Sequence, residues 1–253
     1  MNNLTHQFEK IGRGLTLIDK SYDALVEFIS ETTPGHNKLP SEEYLARQLG
    51  VSRTTIREAL NRLVSDGLVS KVQGRGYYAH RSVHNLRNRI DLYPDIYKLL
   101  KENYGEAKLT IEDVEKRNAS QESIIEFGKN GLSVEEVYCM RWAYSTHGIR
   151  IFVGFLEFPV SLIIRPLEGL DKTKSLPDFS ERFMEHPITH CTMTMGACSG
   201  EEASRALPLK DKTKPTLYWL ESIYNLHDEM VGCGIIYINT EVISPSLNAS
   251  ILE

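Results

Sequence analysis

The chain has 253 residues, 41% of them hydrophobic and 25% charged, which excludes a disordered or collagen-like polymer and leaves room for one large or two modest domains. No apolar run approaches the ~18–20 residues that a bilayer crossing needs, and Met1 to Gln7 lack the basic-then-apolar pattern of a secretory leader, so a soluble, cytoplasmic chain is expected. The net charge of −5 divides unevenly: residues 1–90 hold 13 Lys and Arg against 9 Asp and Glu, and the remainder 16 against 25, so a basic amino-terminal third on an acidic body points to a segregated polyanion-binding module.

Residues 1–18 read as a loosely held arm. Asp19 is placed as an N-cap, and Tyr22, Leu25, Val26 and Ile29 recur at helical spacing until Thr33-Pro34-Gly35 stops the helix. A second helix follows Ser41, with Glu42 and Glu43 in its first turn and Tyr44, Leu45, Leu49 and then Val51 as apolar contacts. Gly50 ends it and Ser52 caps a third helix, whose buried stripe is Ile56, Ala59, Leu60, Leu63 and Val64 and whose C′ residue is Gly67. Leu68 to His80 reads as a hairpin with its tip at Gln73-Gly74-Arg75-Gly76. The boundaries are therefore an arm over 1–18, a winged-helix module over 19–81 and a polar linker over 82–93. Residues 94–253 form a second, larger domain. There, helix signals at 92–104, 178–186 and 199–207 alternate with strand signals near 109–117, 134–144, 149–158, 187–197, 215–226 and 230–242. The fold class is α+β on an antiparallel sheet.

Two short helices joined by a glycine-containing turn make a helix-turn-helix, in which the second helix enters the major groove. Arg53, Arg57 and Asn61 recur every four residues on a stripe away from Ile56, Leu60 and Leu63. Ser52, Thr54 and Thr55 bring hydroxyl groups to the helix end whose free N–H groups suit a phosphate. Gln73, Gly74, Arg75 and Gly76 would let the wing approach the minor groove or the backbone of duplex DNA. A solvated amphipathic helix is the bland alternative for the arginines alone.

The run from Leu39 to Leu60, L-P-S-E-E-Y-L-A-R-Q-L-G-V-S-R-T-T-I-R-E-A-L, with Gly67-Leu68-Val69 and Gln73-Gly74-Arg75-Gly76 after it, resembles the GntR superfamily of bacterial winged-helix transcription factors. The resemblance implies DNA contacts from Arg53, Thr54, Thr55 and Arg57 and from Gln73, Gly74 and Arg75. Many members carry arginine where this chain has Glu43, so that contact is absent here. The α+β pattern of the body looks like the UTRA effector domain of the HutC-like subfamily, similar in fold to chorismate lyase. That implies an effector-binding and dimerisation role for residues 94–253, a homodimer on operator DNA, a repressor modulated by a small-molecule effector, and no enzymatic activity. Arg141, Glu157, Glu221 and Tyr237 are the candidate effector residues. Arg141 stands alone where sugar-phosphate-sensing members carry an R-x-R pair, and Glu221 stands where arginine is common, which points to a less charged or amine-bearing ligand. A cross-strand ion pair between Arg141 and Glu157 on an exposed face is the competing reading.

Cys139, Cys191, Cys198 and Cys233 form no C-x-x-C pair, so reduced thiols are expected, with no disulfide framework, metal or cofactor. Gly196-Ala197-Cys198-Ser199-Gly200 mimics a nucleophile elbow, although Ser199 and Glu202 also read as a capping box. His186 and His190-Cys191 make a thin metal motif. An enzyme on a chorismate-lyase-like body and a thiol redox sensor using Cys191 or Cys198 are the alternatives in other classes.

Overall fold

The computed structural model describes residues 16–33, 35–91 and 95–249. Most of the expected arm, together with Pro34 and Pro94, lies outside them. The chain divides between residues 87 and 88 into two compact units, and its end, from Leu247 onward, belongs with the first.

The first unit comprises α1 (Leu17–Glu31), α2 (Glu42–Leu49), α3 (Arg53–Ser65), the hairpin β1 (Val69–Val72) and β2 (Gly76–Ala79), and the short α4 (Arg81–His84). The helix expected from Asp19 starts earlier. Thr16 is its cap, and Asp19 is the third helical residue, closing a reciprocal box on the Thr16 N–H and hydroxyl. Sequence alone could not separate these two roles, because both place an oxygen over the first turn. Leu25, Ile29, Leu45, Ile56, Ala59, Leu60 and Leu63 form one core with the underside of the hairpin. Tyr44 and Leu49, expected as apolar contacts, are exposed instead, and Ala46 is buried beside Leu45. Gly67 has φ +69, and the N–H groups of Gly67 and Leu68 reach the carbonyls of Val64 and Leu63, a Schellman ending to α3. A side chain at this glycine would strike the Asn248 amide of the returning carboxyl-terminal segment.

The second unit comprises α5 (Ile96–Tyr104), β3 (Lys108–Asn118), α6 (Gln121–Lys129), β4 (Glu136–Thr146), β5 (Ile149–Pro159), α7 (Leu176–Phe183), β6 (Ile188–Cys198), α8 (Gly200–Ala203), β7 (Thr216–Asn225) and β8 (Met230–Ile238). The six long strands form one antiparallel sheet in the order β3-β4-β5-β8-β7-β6. One face carries Trp142, Phe152, Phe158, Trp219 and Ile236 under α5 and α7, where Phe179 meets Trp142 edge-on at 6.2 Å. On the other face, Val153 packs with Ala203 and Leu207. Helix α6, not expected from the sequence, buries Phe127 there with Val137 and Cys233.

Part of the expected linker is integrated into this unit. Asn88, Arg89 and Ile90 are buried, Arg89 pairs with Asp91, and the Ile90 N–H and Asn88 carbonyl bond Ser246. Polarity misleads here because most of these polar groups have partners, the Asn88 amide N–H on the Ser244 carbonyl and Arg89 on Asp91, which lowers the cost of burying them; Asn88 Oδ1 alone accepts nothing among them.

Candidate functional site

Helix α3 supplies the reading face. Ser52 caps it with extended backbone and accepts the Thr55 N–H at 3.0 Å, and Gly50 makes the preceding turn in the left-handed region at φ +65. Ile56, Ala59, Leu60 and Leu63 are fully buried, so Arg53, Thr54, Arg57 and Asn61 necessarily face outward, and all four are exposed. Arg53 to Asn61 spans ~12 Å of helix axis, comparable with a major groove ~12 Å wide. The hydroxyls of Ser52 and Thr55 are 2.8 Å apart and occupied with each other, so Thr55 acts in the cap and is only half-exposed.

Arg57 is not a free cation. Its Nε and a terminal nitrogen donate to Glu42 of α2 at 3.3 and 3.1 Å, and the Tyr77 hydroxyl of β2 donates to the other oxygen of the same carboxylate at 3.1 Å. Burial opposes ionisation of Glu42, but the Arg57 and Tyr77 hydrogen bonds outweigh it and hold the carboxyl below its usual range. Glu42 thereby ties both helices and the wing together and aims Arg57. In the sequence Glu42 reads only as a favourable first-turn charge, and a separation of fifteen positions hides this positioning role. Glu43, one residue on, is exposed.

At the wing, Gln73, Gly74 and Arg75 are exposed, and Gly74 takes φ +71 at the turn. Gly76 is half-buried within β2, opposite Val72 and beside Lys38, and so stands off the tip. Replacing Arg75 by alanine is expected to weaken DNA binding almost equally across sequences and to flatten the salt dependence by about one unit of slope, the signature of one lost phosphate contact. Anisotropy titrations at several salt concentrations check this.

The four candidate effector residues do not converge. Strand alternation places Arg141, Glu157 and Tyr237 on the α6/α8 side and Glu221 on the α5/α7 side. Arg141 and Glu157 are not paired with each other; Arg141 is half-buried and Glu157 is buried. Arg141 lies 3.2 Å from Glu112, donates to the Ala206 carbonyl and stacks over Phe155. Glu157 is buried and accepts from Arg117 at 2.6 Å and from the Ser120 N–H at 3.0 Å. The Tyr237 hydroxyl donates to Glu202 at 3.1 Å, beside a cleft of about 610 Å³ lined by Phe155, Arg205 and Ile235. Cross-strand pairing sets Arg141 against Phe155 and Glu157 against Cys139 and Cys233, and the ionic partners of both come from β3: Glu112 at its bulge for Arg141, and Arg117, two strands away, for Glu157.

The opposite face holds unspent polarity. Pairing places Trp142, Gly154, Ile236 and Trp219 in one row across the four central strands, with Glu221 two residues beyond Trp219. Both indole N–H groups are buried without an acceptor. Burial pushes the Glu221 carboxyl up, against a weaker opposing hydrogen bond with Cys191. Burial also raises the Tyr144 phenol, and the charges of Glu221 and Asp95 add to the effect.

The remaining reactive groups are quiet. Burial pushes the Cys191 thiol up to about 12, and burial with the neighbouring Glu202 also raises Cys198, so neither favours the thiolate that redox sensing or nucleophilic attack requires. Seven residues apart on one strand, they are separated by ~23 Å and cannot pair directly. Only half of the expected capping box forms: Ser199 accepts the Glu202 N–H, but the Glu202 carboxylate turns to Tyr237. His186 meets His227 edge-on, and His190 stacks on Tyr224 and bonds Asp228, so the two histidines point to different partners.

Residues 17–78 match the model of the gntR family of bacterial regulatory proteins. The histidine utilization repressor of Pseudomonas aeruginosa is 43% identical over 65 residues, covering 22% of this chain and 26% of that protein. The HTH-type transcriptional repressor NagR of Bacillus subtilis is 46% identical over 43 residues, covering 17% and 18%. The chain thus matches about a quarter or less of the length of these curated relatives. Over 93% of this chain, the fold resembles that of YydK of Bacillus subtilis, described as a possible transcriptional regulator, with a TM-score of 0.68, 18% identity and all of that chain covered. Residues 17–78 thus carry the helix-turn-helix region of the gntR family of bacterial regulatory proteins, and an antiparallel six-stranded domain follows it in a fold that resembles YydK.

Proposed function

We propose that the protein is a sequence-specific DNA-binding transcriptional repressor that acts as a homodimer and answers to a small-molecule effector. The observation that carries this reading is the polarity of α3: a fully buried apolar underside holds an outward row of Arg53, Thr54, Arg57 and Asn61 rigidly in place. Two such heads read the two halves of a palindromic operator. Selection of binding sites from random duplexes, followed by titration of the selected duplex, tests it. Enrichment of a two-fold symmetric sequence is expected, and an unenriched pool overturns it.

The effector site is assigned to the α5/α7 side of the sheet, around Trp142, Trp219, Glu221 and Tyr144. What supports it is chemistry: these groups lack protein partners or hold a carboxyl against ionisation, whereas Arg141, Glu157 and Tyr237 are already engaged. The ligand can shift DNA affinity only through a different affinity for two arrangements of the heads. Because the Glu221 carboxyl is raised in the folded protein, folding favours its protonated form. Its contribution is fully present below the usual value of 4.5 and is lost as the pH rises through the folded value. Glu221→Gln is therefore expected to raise the melting temperature at pH 8 and to leave it unchanged near pH 4. A variant less stable than wild type at pH 8 contradicts the assignment.

A further inference from the structure

Arg57 is anchored through two further groups, the second of which lies in the wing. Both of its bonds to Glu42 go to one carboxylate oxygen, Oε2, and both come from the Nε side of the guanidinium. That leaves the end edge, formed by the two terminal nitrogens, whose parallel N–H groups match guanine. The other carboxylate oxygen, Oε1, accepts the Tyr77 hydroxyl. The three groups differ in freedom. Arg57 is long and half-exposed, and Glu42 is shorter and mostly covered. Tyr77 is buried in the core of the first unit. Its strand fixes it further. The Tyr77 carbonyl accepts the Leu39 N–H at 2.8 Å, and the ammonium of Lys71, opposite it in the hairpin, lies over the ring at 5.5 Å.

We propose that Tyr77 is a specificity-determining positioning residue: its hydroxyl fixes the rotation of the Glu42 carboxylate and thereby which base Arg57 reads. The inference rests on the DNA reading above and makes the wing strand a part of base selection, acting through α2. A free arginine loses side-chain entropy on docking and swings between neighbouring bases on its long stem. Held along its Nε side by a carboxylate that cannot turn, Arg57 offers its end edge in one direction. Without the hydroxyl the carboxylate swivels and carries the guanidinium with it, so more than one base comes within reach. Tyr77→Phe isolates this effect, because it removes the hydroxyl and keeps the buried ring under Lys71.

The experiment titrates the duplex selected by wild type, and its single-base-pair variants, with four full-length proteins at low salt, where weak complexes still form. The proteins are wild type, Arg57→Ala, Tyr77→Phe and the double variant. The base pair at which Arg57→Ala abolishes discrimination is the one Arg57 reads. Tyr77→Phe is expected to lower discrimination at that same base pair about 2–10-fold, the size of one hydrogen bond's net contribution, and to spare the other positions. In the Arg57→Ala background it should change nothing. A hydroxyl with a merely structural role would weaken binding to every duplex alike and would do so without Arg57. Either result overturns the proposal, as does a Tyr77→Phe profile identical to wild type, and each leaves the DNA reading intact. A wild type that selects no sequence overturns both. Should Tyr77→Phe fail to fold, Glu42→Asp takes its place, since the shorter side chain keeps the charge and cannot span both partners. Relaxation at the same base pair then supports the proposal, and an unchanged profile overturns it.

Discussion

Arg53→Ala is expected to lower affinity for the selected duplex ~10–100-fold, the equivalent of the about 1–3 kcal/mol that a bidentate arginine–guanine contact contributes. The melting temperature should not move, because Arg53 is exposed and lies on the face of α3 opposite its buried stripe. Arg57→Ala should weaken binding comparably but for two reasons. It removes the guanidinium and also leaves the Glu42 carboxylate at the DNA-facing surface without its neutralising partner. The two variants therefore differ in their response to a further change. Glu42→Gln added to Arg57→Ala should recover part of the lost affinity, whereas added to Arg53→Ala it should not. Anisotropy titrations of the four proteins at one salt concentration check this, and a helix variant that binds as tightly as wild type would remove α3 from the interface.

The largest stability effect is expected from Leu60→Ala. Leu60 is fully buried between α1 and the underside of the recognition helix, and its truncation should destabilise the first unit by about 2–5 kcal/mol, part transfer and part cavity. The second unit has a separate core of Trp142, Phe158, Phe179 and Trp219, so unfolding need not be one transition. Calorimetry should show the transition of the first unit moving down while that of the sheet domain stays in place. Loss of DNA binding should accompany it, in contrast to Arg53→Ala, which impairs binding with no thermal change.

The winged helix was legible because its information is local. The apolar stripe of α3, the Ser52 cap, the left-handed glycine at 50 and the Schellman ending at Gly67 are all set by residues within one or two turns of one another. The long strands were legible for the same reason, alternation being a nearest-neighbour pattern. Helix α6 was not, because its apolar residues misreport its buried face: Ile124 and Ile125 are exposed, while Ser123 and Phe127 are buried. The effector candidates fared worst. Arg141, Glu157, Glu221 and Tyr237 lie on four strands, and which strands adjoin, and which face each side chain takes, depends on a register that no single segment carries.

The amino-acid order alone determined the amino-terminal unit's helices, its turn, its hairpin and the outward row of polar side chains on α3, since each follows from contacts within a few residues. Only the tertiary structure decided that Glu42 restrains Arg57, that the Tyr77 hydroxyl holds Glu42, and that Glu221 stands apart from the other three effector candidates. Each of those is a relation between residues far apart in the chain, and electrostatics and hydrogen bonding act over a few ångströms of space rather than along the sequence.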